Sequence, residues 1–337
     1  MYGDCFRTTT HGCMRVILLV CRALLIAALC LGTTIASGQE RLILPKVGEL
    51  WMGTPETAAI YREAFHGGLR DLGYRDGINM ELVTRYARGD MRRIPAMVDE
   101  LIAEKVDVVY LIPAALPYAR QRTSTIPIVS NVDDPVLEGF STSLARPDGN
   151  VTGLMWQSPE SVGKRIELAK ELLPGLKRVA VIFSENDVIE SNLVTQAMHR
   201  LGVHVRSYPV RDAQSVEDAV SAVIRERPQF IMVLVSAFTI THRQRLASFA
   251  IKARIPLISE GRDWAEAGAL VAYGPNALDM MRRTATYVDK ILKGAKAAEL
   301  PFGQPDKFEL IVNRSTADAI GINIPQSILL RADAVIR

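Results

Sequence analysis

Two segments of the chain recur at the same spacing, and this repeat limits the possible folds more than any other feature. A Leu-Gly pair that ends at Gly73 recurs at Gly202, and the run 126–130 (IPIVS) recurs at 255–259 (IPLIS). Both matches are 129 residues apart (73 to 202, and 126 to 255). Each glycine follows an amphipathic segment, as at a helix end, and each apolar run has the length of a buried strand. Equal offsets in equal contexts predict two similar lobes.

Short apolar runs alternate with amphipathic segments in both halves of the chain. The run 106–112 is apolar apart from Asp107, which is typical of a parallel strand that is buried on both faces. An apolar stripe predicts a helix that ends near Leu72, and Pro95 suits the first turn of the next helix. Strand and helix in strict alternation favour a doubly wound sheet. The predicted fold is therefore α/β, with two similar doubly wound parallel-sheet lobes.

The N-terminal segment has the features of a secretory signal. Arg15 and Arg22 precede the uninterrupted apolar run 23–31, which is too short to span a bilayer, and small residues follow it. Removal of residues 1–38 as a signal peptide would also remove all four cysteines, so the mature chain would contain no disulfide. An uncleaved membrane anchor and a lipoprotein attached through Cys30 are the alternatives, and Met14 is an alternative start. We expect a periplasmic or otherwise extracytoplasmic protein.

The sequence contains none of the short motifs that would indicate an enzyme. G-x-S-x-G, H-E-x-x-H, C-x-x-C and G-x-x-x-x-G-K are all absent, and the five histidines are scattered. The net charge is +3, from 40 basic and 37 acidic residues, which does not suggest a nucleic-acid partner. We therefore predict a chain that is not an enzyme and has no catalytic residues, metal site or cofactor.

Polar or small residues follow the predicted strands, at the sheet edge where open α/β sheets bind ligands. The expected ligand contacts of the first lobe are Thr54, Pro113, Ala114, Asn131 and Asp133. The carboxylate of Asp133 could pair with an ammonium group of the ligand, or it could belong to a turn.

The second half of the chain presents a matching set of loops. The expected ligand contacts there are Ser184, Asn186, Ser236, Phe238 and Glu260. Because the repeat makes the two sheet edges equivalent, a ligand between the lobes would touch loops from both halves.

Several longer motifs resemble the substrate-binding proteins of ABC transporters. They are IPIV at 126–129 with a following Asp-Pro, SLARPDGNVTG at 143–153, KRIEL at 164–168, YGPN at 273–276, YVDKILKG at 287–294, KFEL at 307–310 and IPQS at 324–327. The resemblance covers nearly the whole chain after residue 40 and implies lobes with the type I periplasmic-binding-protein fold. It implies capture of a small molecule, with aromatic amino acids as one ligand class, and delivery to an ABC transporter permease. The proline-flanked loop at Pro113 and Ala114 departs from the family's usual small-residue loop.

The resemblance also implies that the chain crosses between the lobes through three hinge strands. On this basis lobe 1 comprises 39–155 and about 270–306, and lobe 2 comprises 156–269 and about 307–337. A solute sensor that presents its ligand to a membrane receptor would have the same residues, and an exported enzyme is a further alternative. The ligand's identity and the oligomeric state are left open by the sequence.

Overall fold

A computed structural model describes residues 44–337, apart from 157, 158 and 186. The predicted signal peptide, residues 1–38, lies outside the described residues, as does the predicted ligand contact Asn186. Within the described part of the chain, no helix is both long enough and apolar enough to cross a membrane.

The first lobe is built on a five-stranded sheet in which every strand is parallel to its neighbours. The strand order is β2-β1-β3-β4-β5, and apolar clusters cover both faces of the sheet. The elements are β1 (Lys46–Trp51), α1 (Ala59–Asp71), β2 (Glu81–Tyr86), α2 (Ile94–Ala103), β3 (Val108–Leu111), α3 (Leu116–Arg122), β4 (Ile128–Val132) and β5 (Val151–Met155). Strands β3 and β4 are buried along their whole length, as expected for central parallel strands.

The second lobe begins after β5 and repeats the alternation of strand and helix. Its elements are α4 (Pro159–Leu172), β6 (Arg178–Ser184), α5 (Val188–Arg200), β7 (His204–Val210), α6 (Ala213–Glu226), β8 (Phe230–Val233), α7 (Ala237–Thr241), α8 (Arg243–Ala253), β9 (Leu257–Ser259), α9 (Arg262–Ala267) and β10 (Val271–Pro275). The chain then returns to the first lobe in α10 (Ala277–Leu292), which packs along α1. This contact is close because a Cβ atom on Gly68 would lie 2.4 Å from the carbonyl oxygen of Arg282.

The C-terminal region completes the sheet of the second lobe. It contains β11 (Phe308–Asn313), α11 (Arg314–Ile320), α12 (Gln326–Leu329) and β12 (Ala334–Ile336). The strand order is β12-β11-β10-β9-β8-β6-β7, and only the β10–β11 pair is antiparallel among these strands.

The path of the chain between the two sheets bears on the predicted domain boundaries. The sequence placed about 270–306 with the first lobe, but β10 is hydrogen-bonded to β9 and β11 in the second sheet. Helix α10, two residues later, packs against the first lobe. We therefore propose that this crossing lies near Asn276, with the other two after β5 and before β11.

The internal repeat that the sequence predicted is present as two α/β lobes with matching hydrogen bonds. In the first lobe, the Ser130 hydroxyl on β4 donates to the Leu111 carbonyl on the adjacent strand β3, at 2.7 Å. In the second, the Ser259 hydroxyl on β9 donates to the Val233 carbonyl on the adjacent strand β8, at 2.9 Å. The predicted two-lobed α/β class is confirmed.

Candidate functional site

A fully buried arginine, Arg165, lies on the second lobe beside the carboxyl ends of its strands. It occupies the buried stripe of α4 together with apolar residues such as Ile166 and Ala169. Its side chain has no exposed surface. Such a charge is costly to bury unless it is paired, so its partners define the chemistry of this region.

Two glutamates surround the Arg165 guanidinium. Nη2 lies 3.3 Å from Oε1 of Glu190 on α5, and Nη1 contacts Oε1 of Glu260, the residue after β9. The Glu190 and Glu260 side chains are only 12% and 2% exposed. Burial lowers the pKa of Arg165, and the negative charge of Glu190 opposes this shift. The arginine's charge is therefore balanced inside the protein.

Asp133 reaches the same region from the first lobe. It follows β4 directly, and no described residue donates a hydrogen bond to its carboxylate or forms an ion pair with it within 4 Å. A part of the residue's surface stays accessible, although protein atoms surround the carboxylate on nearly all sides. Burial raises the pKa of Asp133 well above its usual range, and the charges of Glu190, Glu138 and Asp187 raise it further. Arg165 opposes this shift.

A second carboxylate without a cationic partner, Asp187, lies on the other side of this region. It precedes α5, and its Oδ2 atom is buried with no hydrogen-bond partner. Burial and the charge of Glu190 raise the pKa of Asp187 to about 7, although a contact with the Ser236 hydroxyl lowers it. Asp133 and Asp187 thus come from opposite lobes, and the charge of Glu190 acts on both.

The lobes also meet directly away from these carboxylates. The Tyr61 hydroxyl on α1 donates a hydrogen bond to Oδ2 of Asp263 on α9. Burial and then the charge of Asp263 raise the pKa of Tyr61, so the phenol remains a hydrogen-bond donor at neutral pH. This cross-lobe contact and the Asp133 region show the lobes closed against each other.

The predicted contacts of the first lobe lie at the expected sheet edge, but some of their side chains already form hydrogen bonds within the protein. Thr54 forms a local turn in which its backbone N–H donates to Thr57 Oγ1, at 2.8 Å. Pro113 and Ala114 begin a short 3₁₀ turn after β3. Asn131 faces the lobe's own helix α10, where its Oδ1 accepts from the Thr284 hydroxyl at 2.9 Å.

The predicted contacts of the second lobe also follow strand ends. Ser184 is buried at the end of β6. Ser236 caps α7, and the Phe238 ring packs 4.5 Å from the ring of His242. Glu260 is the partner of Arg165. Of the ten predicted residues, the structure brings Asp133 and Glu260 into the charged region, together with Ser184 and Ser236, which both contact Asp187.

Sequence reasoning missed Arg165, Asp187 and Glu190. A detectable signal existed for Arg165, because it interrupts an apolar helical stripe that includes Val162, Ile166 and Ala169. A charge at such a position must find a buried partner. Asp187 and Glu190 carried no comparable signal. Acidic residues are common at the start of a helix because the helix dipole stabilises negative charge there.

Two other observations separate this region from alternative sites. Among the described residues, no group of three or more histidine, cysteine or acidic side chains could hold a metal ion. A depression of about 850 Å³ lies at the opposite, amino-terminal edge of the first sheet, where Asp107, Arg120 and Lys296 are among its lining residues. Ligands of open α/β sheets bind at the carboxyl edge, so the Asp133 region is the candidate site.

Two α/β lobes, one with an all-parallel and one with a mostly parallel sheet, define a binding protein of the type I periplasmic-binding fold. The sequence profile described as "ABC transporter substrate binding protein" matches residues 55–336. The chain therefore belongs to this family.

Individual relatives agree with the family assignment. A "Tyrosine-binding protein" of Clostridioides difficile strain R20291 is 26% identical over 266 residues, which are 77% of this chain and 76% of the relative. A conserved domain protein of Vibrio cholerae has a TM-score of 0.81 at 27% identity, over 86% of this chain and 99% of its own. An ABC domain of Streptococcus pneumoniae, solved in complex with L-Trp, has a TM-score of 0.81 at 23% identity, over 87% and 100% of the two chains.

Proposed function

We propose that this protein is an extracytoplasmic solute-binding protein that captures a small amino compound between its lobes and delivers it to an ABC transporter permease. The observation that carries the proposal is Asp133, a carboxylate between the two lobes with neither a hydrogen-bond donor nor an ion-pair partner among the described residues. A carboxylate that protein atoms largely surround is costly to ionise without a partner, and a ligand ammonium group would supply the missing charge.

Three further observations support this function. The family is one of transporter substrate-binding proteins, and relatives are named for tyrosine binding or were solved with L-Trp. The N-terminal segment 1–38 has the composition of an export signal. The chain crosses between the lobes three times, which permits hinge closure over a ligand. The family's neighbours are binding proteins, so we propose binding without chemical turnover.

A ligand screen on the purified protein tests the proposal. Amino acids, amines, nucleosides, sugars and carboxylates are each added while thermal unfolding is followed, and one amino compound should stabilise the protein. At 100 times its dissociation constant, a ligand adds about 2.7 kcal/mol to the free energy of unfolding. Recovery of a chemically altered ligand after incubation would contradict binding without turnover.

Substitution of Asp133 then tests the site itself. Loss of one charge-assisted contact costs about 1.5–3 kcal/mol, so Asp133→Ala should weaken the ligand's affinity roughly 10- to 150-fold in calorimetry. The melting temperature of the empty protein should not fall, because Asp133 has no partner to lose. Asp134→Ala is the matched control, since the Asp134 carboxylate accepts from the backbone N–H groups of Val136 and Leu137 at 2.9 and 3.0 Å. Asp134→Ala should lower the melting temperature of the empty protein and leave the ligand's affinity nearly unchanged. Unchanged affinity in Asp133→Ala would make Asp133 a turn residue.

A further inference from the structure

The amino-terminal edge of the second sheet carries a group of basic side chains that the proposed function does not use. Strands β9, β8, β6 and β7 are adjacent and parallel, so the segments that lead into them meet at one edge. Each of these segments contributes at least one exposed lysine or arginine. We call this surface the basic edge, and its residues are Lys177, Arg178, Arg200, Arg225, Arg227, Lys252 and Arg254.

The positive charge of the basic edge is not balanced by ion pairs. Within the part of the chain that the structure describes, none of its residues has an ion-pair partner within 4 Å. Arg178 Nη2 donates to the Arg227 carbonyl at 3.2 Å, which leaves both charges in place. Glu226 lies close by in the chain, but its carboxylate already faces Arg206 at 3.5 Å and accepts from the Tyr208 hydroxyl at 2.8 Å. The basic edge therefore presents an excess of positive charge to the solvent.

The helix dipole alone does not account for this charge. Basic residues are favoured near helix C-termini, and several residues of the basic edge lie in the last turns of α5, α6 and α8. The first lobe has the same alternation of helix and strand, yet α1 ends at Asp71 and Glu104 follows α2. Lys46, at the start of β1, lies 3.7 Å from Glu81 and 3.8 Å from Glu104. The equivalent edge of the first lobe is therefore mixed in charge, and the excess belongs to the second lobe.

Two exposed apolar side chains lie among the cations of the basic edge. Leu201 directly follows Arg200 at the end of α5 and is 47% exposed. Ile224 directly precedes Arg225 in the last turn of α6 and is 51% exposed. Apolar side chains flanked by basic ones are typical of surfaces that bind the membrane interface, because the cations attract anionic headgroups while the apolar groups enter the acyl boundary.

We propose that the basic edge binds the surface of a bilayer that contains anionic phospholipids. Its charges are spread across four neighbouring strands, a width of about 14 Å, which matches several headgroups rather than one enclosed ligand. The edge lies at the opposite end of the strands from the candidate ligand site. Strand β6 has seven residues, so about 20 Å separate the two edges. The second lobe thus rests on the membrane with its ligand-binding loops directed away from it.

Cosedimentation with lipid vesicles tests this proposal. Phosphatidylcholine vesicles are compared with vesicles that also contain phosphatidylglycerol, and the purified protein should prefer the latter. The preference should fall as the salt concentration rises, because salt screens the attraction. Each basic residue near an anionic surface strengthens binding roughly fivefold, which corresponds to about 1 kcal/mol. The triple variant Arg200→Gln, Arg225→Gln, Lys252→Gln should therefore bind roughly 100-fold more weakly.

A control variant with the same change of net charge separates the basic edge from the charge of the whole protein. Arg75, Lys105 and Lys296 are exposed basic residues of the first lobe. The triple variant Arg75→Gln, Lys105→Gln, Lys296→Gln should bind the anionic vesicles almost as well as the unchanged protein. Residues 1–38 are the same in every variant, so their contribution to binding cancels in the comparison.

The internal repeat supplies a second matched pair, which leaves the charge unchanged. Leu72 and Leu201 are 129 residues apart, and each follows the last residue of its helix. Leu201→Ser should weaken binding to the anionic vesicles about 10-fold, since it removes an apolar side chain that enters the bilayer. Leu72→Ser, on the first lobe, should leave binding unchanged.

Three results would overturn the proposal. Equal vesicle binding by the two triple variants would mean that net charge alone attracts the protein. Equal binding by Leu201→Ser and Leu72→Ser would mean that no apolar group enters the bilayer. Binding to a nucleic-acid duplex but not to vesicles, with a loss in the basic-edge triple variant, would assign the surface to a different polyanion. Thermal unfolding of each variant verifies that a loss of binding does not reflect a loss of folding.

Discussion

The equivalent edges of the two lobes have the same backbone arrangement, but the carboxylate at one edge is paired with a cation and the carboxylate at the other is not. Ser130 on β4 and Ser259 on β9 each donate to a carbonyl of the adjacent strand, at 2.7 and 2.9 Å. The acidic residue that follows in the second lobe, Glu260, contacts the buried Arg165. The one that follows in the first lobe, Asp133, has no such partner.

This difference separates structural charge from charge that is available to a ligand. A buried ion pair is costly to break, because removal of one partner leaves the other charged and desolvated. An unpaired carboxylate destabilises the empty protein, and a cation that binds to it offsets this cost. The repeat therefore supplies one scaffold, on which Glu260 directly after β9 is paired with Arg165, whereas the first lobe has Asn131 at the equivalent position and carries its carboxylate two residues later, on Asp133.

The largest expected effect is on the paired side. Glu260→Gln removes the carboxylate that contacts Nη1 of Arg165 and leaves the buried guanidinium with Glu190 alone, and loss of a partner in a buried ion pair costs up to about 3–5 kcal/mol. The free energy of unfolding from urea titration should fall by about that amount. The exposed pair of Arg245 and Glu217, whose side chains are 54% and 46% exposed, gives the control. There Glu217→Gln should lower the free energy of unfolding far less, because water and salt screen an exposed ion pair.

Equal losses of unfolding free energy in Glu260→Gln and Glu217→Gln would contradict the distinction between the buried pair and the surface pair. They would mean that water reaches Arg165 in solution and that its pairing does not differ from a surface ion pair.

The contact between the lobes gives an intermediate effect. Tyr61→Phe removes the hydroxyl that donates to Asp263 across the lobes but keeps the ring. A hydrogen bond contributes about 0.5–1.5 kcal/mol, so the closed arrangement, and with it ligand affinity, should weaken roughly 2- to 12-fold.

The control for this variant removes a hydroxyl that acts within one lobe. Tyr86 accepts from Arg62 inside the first lobe, so Tyr86→Phe should leave ligand affinity unchanged. If Tyr86→Phe weakens the ligand as much as Tyr61→Phe, the Tyr61 contact has no special role in closure. Calorimetric titration of both variants with the same ligand decides this.

The fold could be predicted from the sequence because it depends on periodic signals. Apolar strand-length runs and the 129-residue repeat required only residue types and spacing. The sheet to which β10 belongs could not be predicted in the same way, because the run at Val271–Pro275 suits a strand of either sheet. Only its hydrogen bonds to β9 and β11 assign it to the second lobe. We therefore propose a lobe boundary near Asn276 rather than near residue 270.

The site could be predicted only in part, because side-chain direction and partners depend on tertiary packing. Asp133 was found from its place after a strand, but Asn131, two residues before it, faces α10 and bonds to Thr284. The sequence gives no measure of this difference. Arg165 required the recognition that a charge within an apolar stripe signals a buried pair, and its partners Glu190 and Glu260 come from distant parts of the chain.

The smallest expected effect tests whether the two lobes are equivalent at the point where their carboxylates diverge. Ser130→Ala and Ser259→Ala each remove one buried hydrogen bond to a neighbouring strand, which should cost about 0.5–1.5 kcal/mol of unfolding free energy. Because the two bonds have the same geometry, the two costs should agree within about 0.5 kcal/mol, and the double variant should show their sum, since separate sites are additive to that precision. Urea titration of the three variants measures this. A much larger cost for Ser130→Ala would mean that the strand end before Asp133 is held differently from its counterpart before Glu260, and that the difference between the lobes begins in the backbone rather than with Arg165.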